Sequence, residues 1–192
     1  MKTSIMVLIL VVALFGRPPQ SAEDFLLDDF SGDSGVSAIG TTWRGFTDRV
    51  MGGISDATYQ FTFIDGKRCL QLKGQVSLEN QGGFVQVALS LERNRRPFDA
   101  SPYTGLRIWA RGNSETYYIH LRTPQANRPW FYYQASFTAG DEWQEVEIPF
   151  SQFIPDNFRA ELDTARLTRV AIVAAKKAYE ADVTVSRIEF YR

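Results

Sequence analysis

The chain has 192 residues, of which 44% are hydrophobic and 22% are charged, and its formal net charge is −1. This apolar content with so little net charge excludes a disordered chain, and the lack of basic excess argues against a nucleic-acid-binding surface. Its single cysteine and single histidine, Cys69 and His120, are too few for an internal disulfide or a Cys/His zinc site. The composition is that of a globular protein with a full-sized core.

Residues 1–22 have the order of a signal peptide. Lys2 precedes an apolar run from Ile5 to Phe15, and Ser21-Ala22 supplies small residues before Glu23. The run is too short to cross a membrane but suits the apolar region of a signal. We therefore predict cleavage near residue 22 and export to a periplasm or out of the cell, with no membrane span in the mature chain. A retained N-terminal anchor or a buried helix is the alternative.

The remainder of the chain repeats a short strand pattern followed by a turn signal. Strands are predicted over residues 59–64, 69–72, 84–91, 106–110, 117–122, 131–137, 143–148, 170–174 and 183–190. Asp65-Gly66, between the first two, is a strong hairpin signal. Helical periodicity is almost absent, apart from one turn near residues 163–167. The pattern predicts a single all-β domain over residues 23–192, an antiparallel β-sandwich or jelly roll.

Alternation sorts the middle strands into an apolar face and a face rich in aromatic and planar hydrogen-bonding groups. The candidate binding residues on this second face are Arg107, Trp109, Tyr118, His120, Arg122, Tyr132 and Gln134. The solvated face of a sheet usually carries residues such as Lys, Glu and Thr. Aromatic rings can instead pack against sugar C–H groups or peptide groups, and Arg and Gln side chains can orient a polar ligand. The alternative is a covered polar layer whose hydrogen bonds are all internal.

Signals for catalysis or a metal are weak. His120 has no Gly-x-Ser-x-Gly serine to pair with, and no carboxylate falls on the aromatic face, so we predict no catalytic residues. The acidic segment from Asp28 to Asp33 departs from an EF-hand loop, because Ser34 and Gly40 stand where Gly and Glu are required. A polar turn or a calcium site at the sandwich edge remain as interpretations of it. We predict no metal and no cofactor.

The segment from residue 43 to residue 55 has the most distinctive composition. Its candidate functional residues are Trp43, Asp48, Met51, Gly52, Gly53 and Ser55. The glycine pair permits a positive φ or a close backbone approach, and the Asp and Ser side chains can bond the loop's own amides. A phosphate cradle would need a helix directly after it, whereas a strand pattern follows. We predict a structured loop.

Eight short segments, in order along most of the mature chain, carry a family resemblance. They are Asp48–Ser55, Gly74–Leu78, Asn80–Phe84, Tyr103–Leu106, Trp109–Gly112, Tyr118–Arg122, Tyr133–Phe137, and Trp143 with Ile148–Phe150 and Phe153. Together they resemble the family of complex I intermediate-associated protein 30. The resemblance implies a galactose-binding-domain-like β-sandwich and, for mitochondrial members, an assembly chaperone of respiratory complex I without catalytic residues.

We therefore expect an exported, non-enzymatic binding module. The resemblance makes binding of a protein partner, or assistance in assembling a complex, the leading function. The alternative is a carbohydrate-binding module that uses the aromatic sheet face. Nucleic acid is not expected as a partner, since the chain has no basic excess.

Overall fold

The computed structural model describes residues 23–32 and 35–192. The predicted signal peptide, residues 1–22, lies outside the described residues, as do Asp33, the last residue of the acidic segment, and the adjacent Ser34. Within the described residues, no helix is both long enough and apolar enough to span a membrane.

Twelve β-strands occur in the described part of the chain. They are β1 (Phe25–Asp28), β2 (Trp43–Thr47), β3 (Asp56–Ile64), β4 (Lys67–Val76), β5 (Phe84–Ser90), β6 (Gly105–Gly112), β7 (Glu115–Arg122), β8 (Tyr132–Ala139), β9 (Gln144–Pro149), β10 (Ile154–Asp156), β11 (Arg169–Ala175) and β12 (Tyr179–Tyr191). All nine predicted strands are confirmed, and the turn near residues 163–167 is a short 3-10 helix, Thr164–Arg166. The sequence patterns missed β1, β2 and β10, which are short.

The strands form two antiparallel sheets. Sheet I has the order β3-β4-β12-β6-β9, with β1 also paired to β12, and sheet II has the order β10-β8-β7-β11-β5-β2. Their inner sides meet in one apolar core, to which sheet I contributes residues such as Ile108 and Val185 and sheet II contributes Ile119 and Tyr133. The predicted antiparallel β-sandwich is therefore the observed fold.

The β3–β4 hairpin shows how local chemistry sets the register. Asp65 and Gly66 both have positive φ, of 51° and 73°, which a two-residue turn of the primed type requires. This turn pairs Ile64 with Lys67, and the register continues without a bulge to Asp56 and Gln75. The Asp-Gly signal in the sequence therefore predicted this hairpin correctly.

The connection between β6 and β7 changes the predicted binding face. These strands follow one another in the chain, yet β6 belongs to sheet I and β7 to sheet II. The outward residues Arg107 and Trp109 of β6 consequently lie on one side of the sandwich, while those of β7 lie on the other. The prediction of a single face is wrong for these two residues. Alternation separates inward from outward positions, but a sandwich has two outer surfaces.

Candidate functional site

The outer surface of sheet II contains a cleft of about 530 Å³, which we call the sheet II cleft. Its middle strands present small side chains there, among them Ala171 and Ala175 of β11, while rings stand at its sides. The large side chains that line it are Phe46, Phe84, Trp130 and Tyr132. The cleft forms because these small side chains lie between larger ones. Its volume is typical of a pocket that holds a small ligand.

His120 and Tyr132 form one wall of the cleft. Their rings stack with centroids 3.8 Å apart and an interplanar angle of 10°. His120 is only 9% exposed, and its Nε2 has no hydrogen-bond partner among the described residues. Burial, reinforced by the positive charges of Lys176 and Arg122, lowers the pKa of His120 to about 3. The imidazole is therefore neutral at physiological pH and serves as a flat, uncharged surface.

Arg122 holds the loop that carries Trp130. Its Nη2 donates to the carbonyl oxygens of Ala126 and Arg128, both at 2.5 Å. The Arg128 guanidinium in turn lies 5.8 Å from the centre of the Trp130 ring. Trp130 remains 47% exposed and lines the cleft. An exposed tryptophan on a braced loop is suited to contact a ligand, since less of the loop has to be ordered on binding.

Tyr118 and Gln134 lie at an edge of this surface that other side chains cover. Gln134 Nε2 donates to Asp156 Oδ2 at 2.7 Å, and Lys176 Nζ lies 3.7 Å from the same carboxylate oxygen. The Lys176 ammonium also lies 5.1 Å from the centre of the Tyr118 ring. Neither Tyr118 nor Gln134 lines the cleft. This edge is therefore covered, although Gln134 Oε1 has no hydrogen-bond partner among the described residues. His120, Arg122 and Tyr132, by contrast, line the cleft.

Arg107 and Trp109 belong to an ion-pair network on sheet I. Arg107 pairs with Asp24 at 2.5 Å, Glu147 at 2.7 Å and Glu189 at 3.0 Å. The Trp109 ring centre lies 6.0 Å from the Arg107 guanidinium and 5.7 Å from that of Arg187. Because these contacts tie the segment before β1 to β6, β9 and β12, we interpret this cluster as structural.

Asp48 of the distinctive loop is fully buried beneath the cleft. Its carboxylate accepts hydrogen bonds from Ser55 N at 2.9 Å, Ser55 Oγ at 2.5 Å, Gly83 N at 2.6 Å and Phe84 N at 3.4 Å. Burial opposes its ionisation, but the hydrogen bonds from Ser55, Gly83 and Phe84 outweigh burial and lower the pKa of Asp48. This carboxylate joins the loop to the connection that precedes β5.

The glycine pair of the loop has the two properties that its sequence predicted. Gly52 has a φ of 94°, which favours glycine. Gly53 is packed so closely that an added Cβ would lie 2.4 Å from Asp48 Cγ. Ser55 is buried as well, and Trp43 is a core residue whose Nε1 donates to Asp28 Oδ2 at 2.8 Å. These residues build the loop and do not line the cleft.

The same loop contributes an apolar rim. It begins as β2, continues as a 3-10 helix over Asp48–Met51, and places Val50 and Met51 along the cleft. Val50 is 71% exposed, and Leu78 continues this exposed rim from the neighbouring connection. Of the six predicted loop residues, only Met51 therefore lines the cleft directly.

Several cleft residues were not predicted from the sequence. They are Phe46, Val50, Leu78, Phe84, Gln86, Trp130, Arg169 and Lys176. Alternation along the predicted strands over 84–91 and 170–174 marks Phe84, Gln86 and the position of Arg169 as outward. The others lie in loops or in the unpredicted β2, where periodicity carries no signal.

A second cavity, of about 370 Å³, adjoins the cleft over β2 and β5. Both cavities are lined by Phe46 and Arg169, and the second adds Arg44 and Ser90. The Arg169 guanidinium lies 5.8 Å from the centre of the Phe46 ring, between the two hollows. A ligand that followed the sheet surface from β8 towards β2 would pass over both.

The acidic segment near β1 has a structural role in the described residues. Asp28 accepts from Phe30 N at 2.9 Å as well as from Trp43, and Asp29 accepts from Ser31 N at 3.0 Å. No group of three or more metal-ligating side chains occurs in residues 23–32 and 35–192.

Solved structures of carbohydrate-binding modules have a similar fold. A family 11 module of a cellulosomal cellulase of Clostridium thermocellum matches with a TM-score of 0.69 and 15% identity, over 90% of this chain and 96% of that one. A family 11 module from the same organism, in complex with a β-1,3-1,4-mixed-linked tetrasaccharide, matches with a TM-score of 0.66 and 15% identity, over 88% and 95%. A family 30 module of another cellulosomal cellulase of that organism matches with a TM-score of 0.57 and 18% identity, over 78% and 90%.

Among curated proteins, none is similar enough in sequence to count as a match. The sequence model of complex I intermediate-associated protein 30 (CIA30), by contrast, matches residues 29–183, which is most of the chain. The sandwich, the Asp48-centred loop and this match agree with the resemblance seen in the sequence. The chain belongs to the complex I intermediate-associated protein 30 family.

Proposed function

We propose that the protein is a non-catalytic binding module whose sheet II cleft holds a carbohydrate chain. The arrangement of the cleft carries this proposal, since aromatic rings and planar hydrogen-bond donors line the same hollow. Trp130 and Tyr132 offer ring surfaces to the C–H faces of a sugar. Gln86 and Arg122 offer the planar groups that fix hydroxyl orientation. We also propose that this binding occurs outside the cytoplasm, which the signal-peptide-like order of residues 1–22 supports.

The structural neighbours support a sugar over other small ligands. A module of similar fold has been solved in complex with a mixed-linked tetrasaccharide, and the likeness extends over most of both chains. The adjoining cavity over β2 and β5 offers room for a ligand longer than one ring. Function is carried by sites rather than by folds, so the cleft chemistry and not the neighbours is the main support.

The chemistry of the cleft favours binding over hydrolysis. Glycosidases generally use a pair of carboxylic acids, and no Asp or Glu is found among the described residues that line the cleft. His120, the one histidine, is neutral and stacked on Tyr132, and no serine lines the cleft with it. The residues present can orient a ligand, but they do not assemble a nucleophile and a base.

The test is a binding titration of the mature chain against a panel of oligosaccharides that includes a β-1,3-1,4-mixed-linked tetrasaccharide. Trp130→Ala should weaken any binding found by about tenfold or more, as expected when an anchoring aromatic is lost. Trp109→Ala is the matched control, because this tryptophan lies on the opposite sheet and its loss should leave affinity unchanged. Equal affinity of the parent and Trp130→Ala, or loss of affinity in Trp109→Ala alone, would contradict the placement of the site.

A protein partner is the second candidate, and the apolar rim favours it. Val50, Met51 and Leu78 are aliphatic, exposed and adjacent along the cleft, and sugars gain little from such side chains. Together with Trp130 they form a surface that suits an apolar segment of another protein. Met51→Ser should weaken capture of a protein partner from the native envelope while leaving sugar binding intact. A sugar titration and a capture experiment on this variant therefore separate the two functions.

A further inference from the structure

The sheet II cleft and its adjoining cavity are electrostatically one-sided. Four cationic side chains line them, namely Arg44, Arg122, Arg169 and Lys176. No Asp or Glu is among the described residues that line either cavity. The protein as a whole carries a formal net charge of −1, so this surface does not merely reflect a basic composition. Concentration of one sign of charge in a cleft attracts ligands of the opposite sign.

Two of these cations occupy directly paired positions on neighbouring strands. Arg122 of β7 and Arg169 of β11 are register partners, which places their Cβ atoms about 5 Å apart on the same outward face. Burial, and secondly the charge of Arg169, lower the pKa of Arg122, which remains cationic. Among the described residues, no carboxylate lies within ion-pair distance of either guanidinium. Like charges in this position destabilise a sheet, so the cross-strand contact between the two arginines is itself unfavourable to the fold.

The nearby carboxylates do not neutralise this pair. Asp156 is 3.7 Å from Lys176 and also accepts from Gln134, so it balances the lysine. Asp48 lies beneath the cleft, where its oxygens accept from the amides of Gly83 and Phe84. Arg169 makes a ring contact with Phe46 and no ion pair with another described residue. Arg122 uses Nη2 for its loop carbonyls, and its Nη1 and Nε make no hydrogen bond to another described residue.

We propose that the cleft selects acidic oligosaccharides, with a uronic acid carboxylate bound between Arg122 and Arg169. This inference rests on the proposed function, since it names the class of sugar for the same site. A guanidinium presents a planar fork of N–H donors that matches the two oxygens of a carboxylate. One such group placed between the opposed arginines would relieve their repulsion, while the neighbouring rings would hold the sugar faces. Arg44 lines the adjoining cavity towards β2, where a further carboxylate of the same chain would lie.

The experiment compares matched pairs of probes whose main difference is the charge on C6. One pair is tetragalacturonic acid and its methyl ester, and the other is a cello-oligosaccharide and its C6-oxidised glucuronate form. We expect an acidic member to bind about tenfold or more tightly than its neutral partner, in keeping with a charge-assisted hydrogen-bonded contact. This advantage should shrink at about 0.5 M salt, because exposed charges are then strongly screened.

Arg169→Gln is the diagnostic variant. It should bring the acidic and neutral members of a pair to similar affinity. Its thermal stability should stay close to that of the parent, because removal of the like-charge contact offsets the loss of the contact with Phe46. Arg159→Gln is the matched control, since this exposed arginine is not among the residues that line the two cavities. Arg122 is less suitable for this purpose because its loss would also release the Trp130 loop.

The outcomes separate this inference from the proposed function. Neutral probes bound as tightly as their acidic partners would overturn the acidic preference and leave the carbohydrate function standing. Failure of all four probes and of the wider panel would overturn both. Tetraglutamate bound as tightly as the acidic sugars would show simple anion binding and overturn the assignment to saccharides. An acidic preference that survives Arg169→Gln would overturn the role of the arginine pair.

Discussion

Asp48 accepts a hydrogen bond from the backbone amide of Gly83, 35 positions along the chain, at 2.6 Å. This contact connects the loop that provides Val50 and Met51 with the connection that provides Leu78. An added Cβ at Gly82 would lie 2.4 Å from Asp48 Oδ2, so the approach depends on glycine there. The apolar rim of the cleft is thus assembled around one buried carboxylate.

Asp48→Asn should destabilise the protein by about 3 kcal/mol, because one charged acceptor of several hydrogen bonds is replaced by a group that also donates. Asp99→Asn is the control, since this exposed carboxylate bonds only Ser101 and the variant should melt like the parent. Denaturant unfolding measures the difference. Similar midpoints for both variants would show that Asp48 does not hold the rim.

The contribution of Asp48 to the stability of the fold should decrease as the pH falls. Its pKa in the folded protein lies below the ordinary value of 3.8, so the unfolded chain takes up a proton first as the pH falls. The stability contributed by this carboxylate is therefore complete above about pH 4 to 5 and is lost as the pH falls through the lowered pKa. The difference in stability between the parent and Asp48→Asn should shrink on acidification below about pH 4. A stability difference that grows on acidification would contradict a lowered pKa for Asp48.

Gly53→Val should destabilise the protein by about 2 kcal/mol or more, because its Cβ would collide with the Asp48 carboxyl group. The matched control is Gly140→Val, at a position where an added Cβ meets no atom within 4 Å and φ is not positive. Thermal melts of the two variants provide the comparison. A Gly53→Val protein that melts like Gly140→Val would show that the loop tolerates a side chain there.

The two cleft aromatics should differ in their effect on stability. Trp130 is 47% exposed, so Trp130→Ala should cost less than about 1 kcal/mol. Tyr132 is half-buried and stacked on His120, so Tyr132→Ala should cost about 2 kcal/mol, less than a fully buried aromatic. Urea unfolding of each variant checks the order. A loss of 3–5 kcal/mol for both would indicate a covered layer instead of an open cleft.

His120 should make the protein less stable as the pH falls. The unfolded histidine titrates near 6.5 and the folded one near 3, so between these values only the unfolded chain gains the proton. The resulting slope is at most about 1.4 kcal/mol per pH unit. His120→Phe retains a flat ring against Tyr132 and should remove this slope between pH 6.5 and 4. Parallel curves for the parent and the variant would contradict a buried, neutral histidine.

The export prediction has a direct measurement. We propose that the mature protein begins near Glu23 and accumulates outside the cytoplasm, since residues 1–22 combine a charged start, an apolar run and small residues. N-terminal sequencing of the native protein should recover a start near residue 23. Recovery of Met1 from cytosolic protein would contradict both cleavage and export.

Much of the fold was determined by short-range chemistry that a sequence displays. Asp65-Gly66 formed a hairpin because both residues adopt a positive φ. The alternation in β7 and β8 assigned Ile119 and Tyr133 to the core side and His120 and Tyr132 to the outer side of the sheet. The order of family segments likewise led to the correct family. These features depend on residues that are neighbours in the chain.

The binding surface depended on which strands became neighbours in space. Alternation placed Trp109 and Tyr132 on outward faces, but only the sheet order shows that they lie on opposite sides of the sandwich. The cleft brings Met51, Leu78, Trp130 and Arg169 together from four separate segments, and loops or unpredicted strands carry no periodic signal. The pairing of Arg122 with Arg169 is likewise a matter of register between strands distant in sequence. Local patterns determine which way a side chain points, whereas long-range packing decides what it meets there.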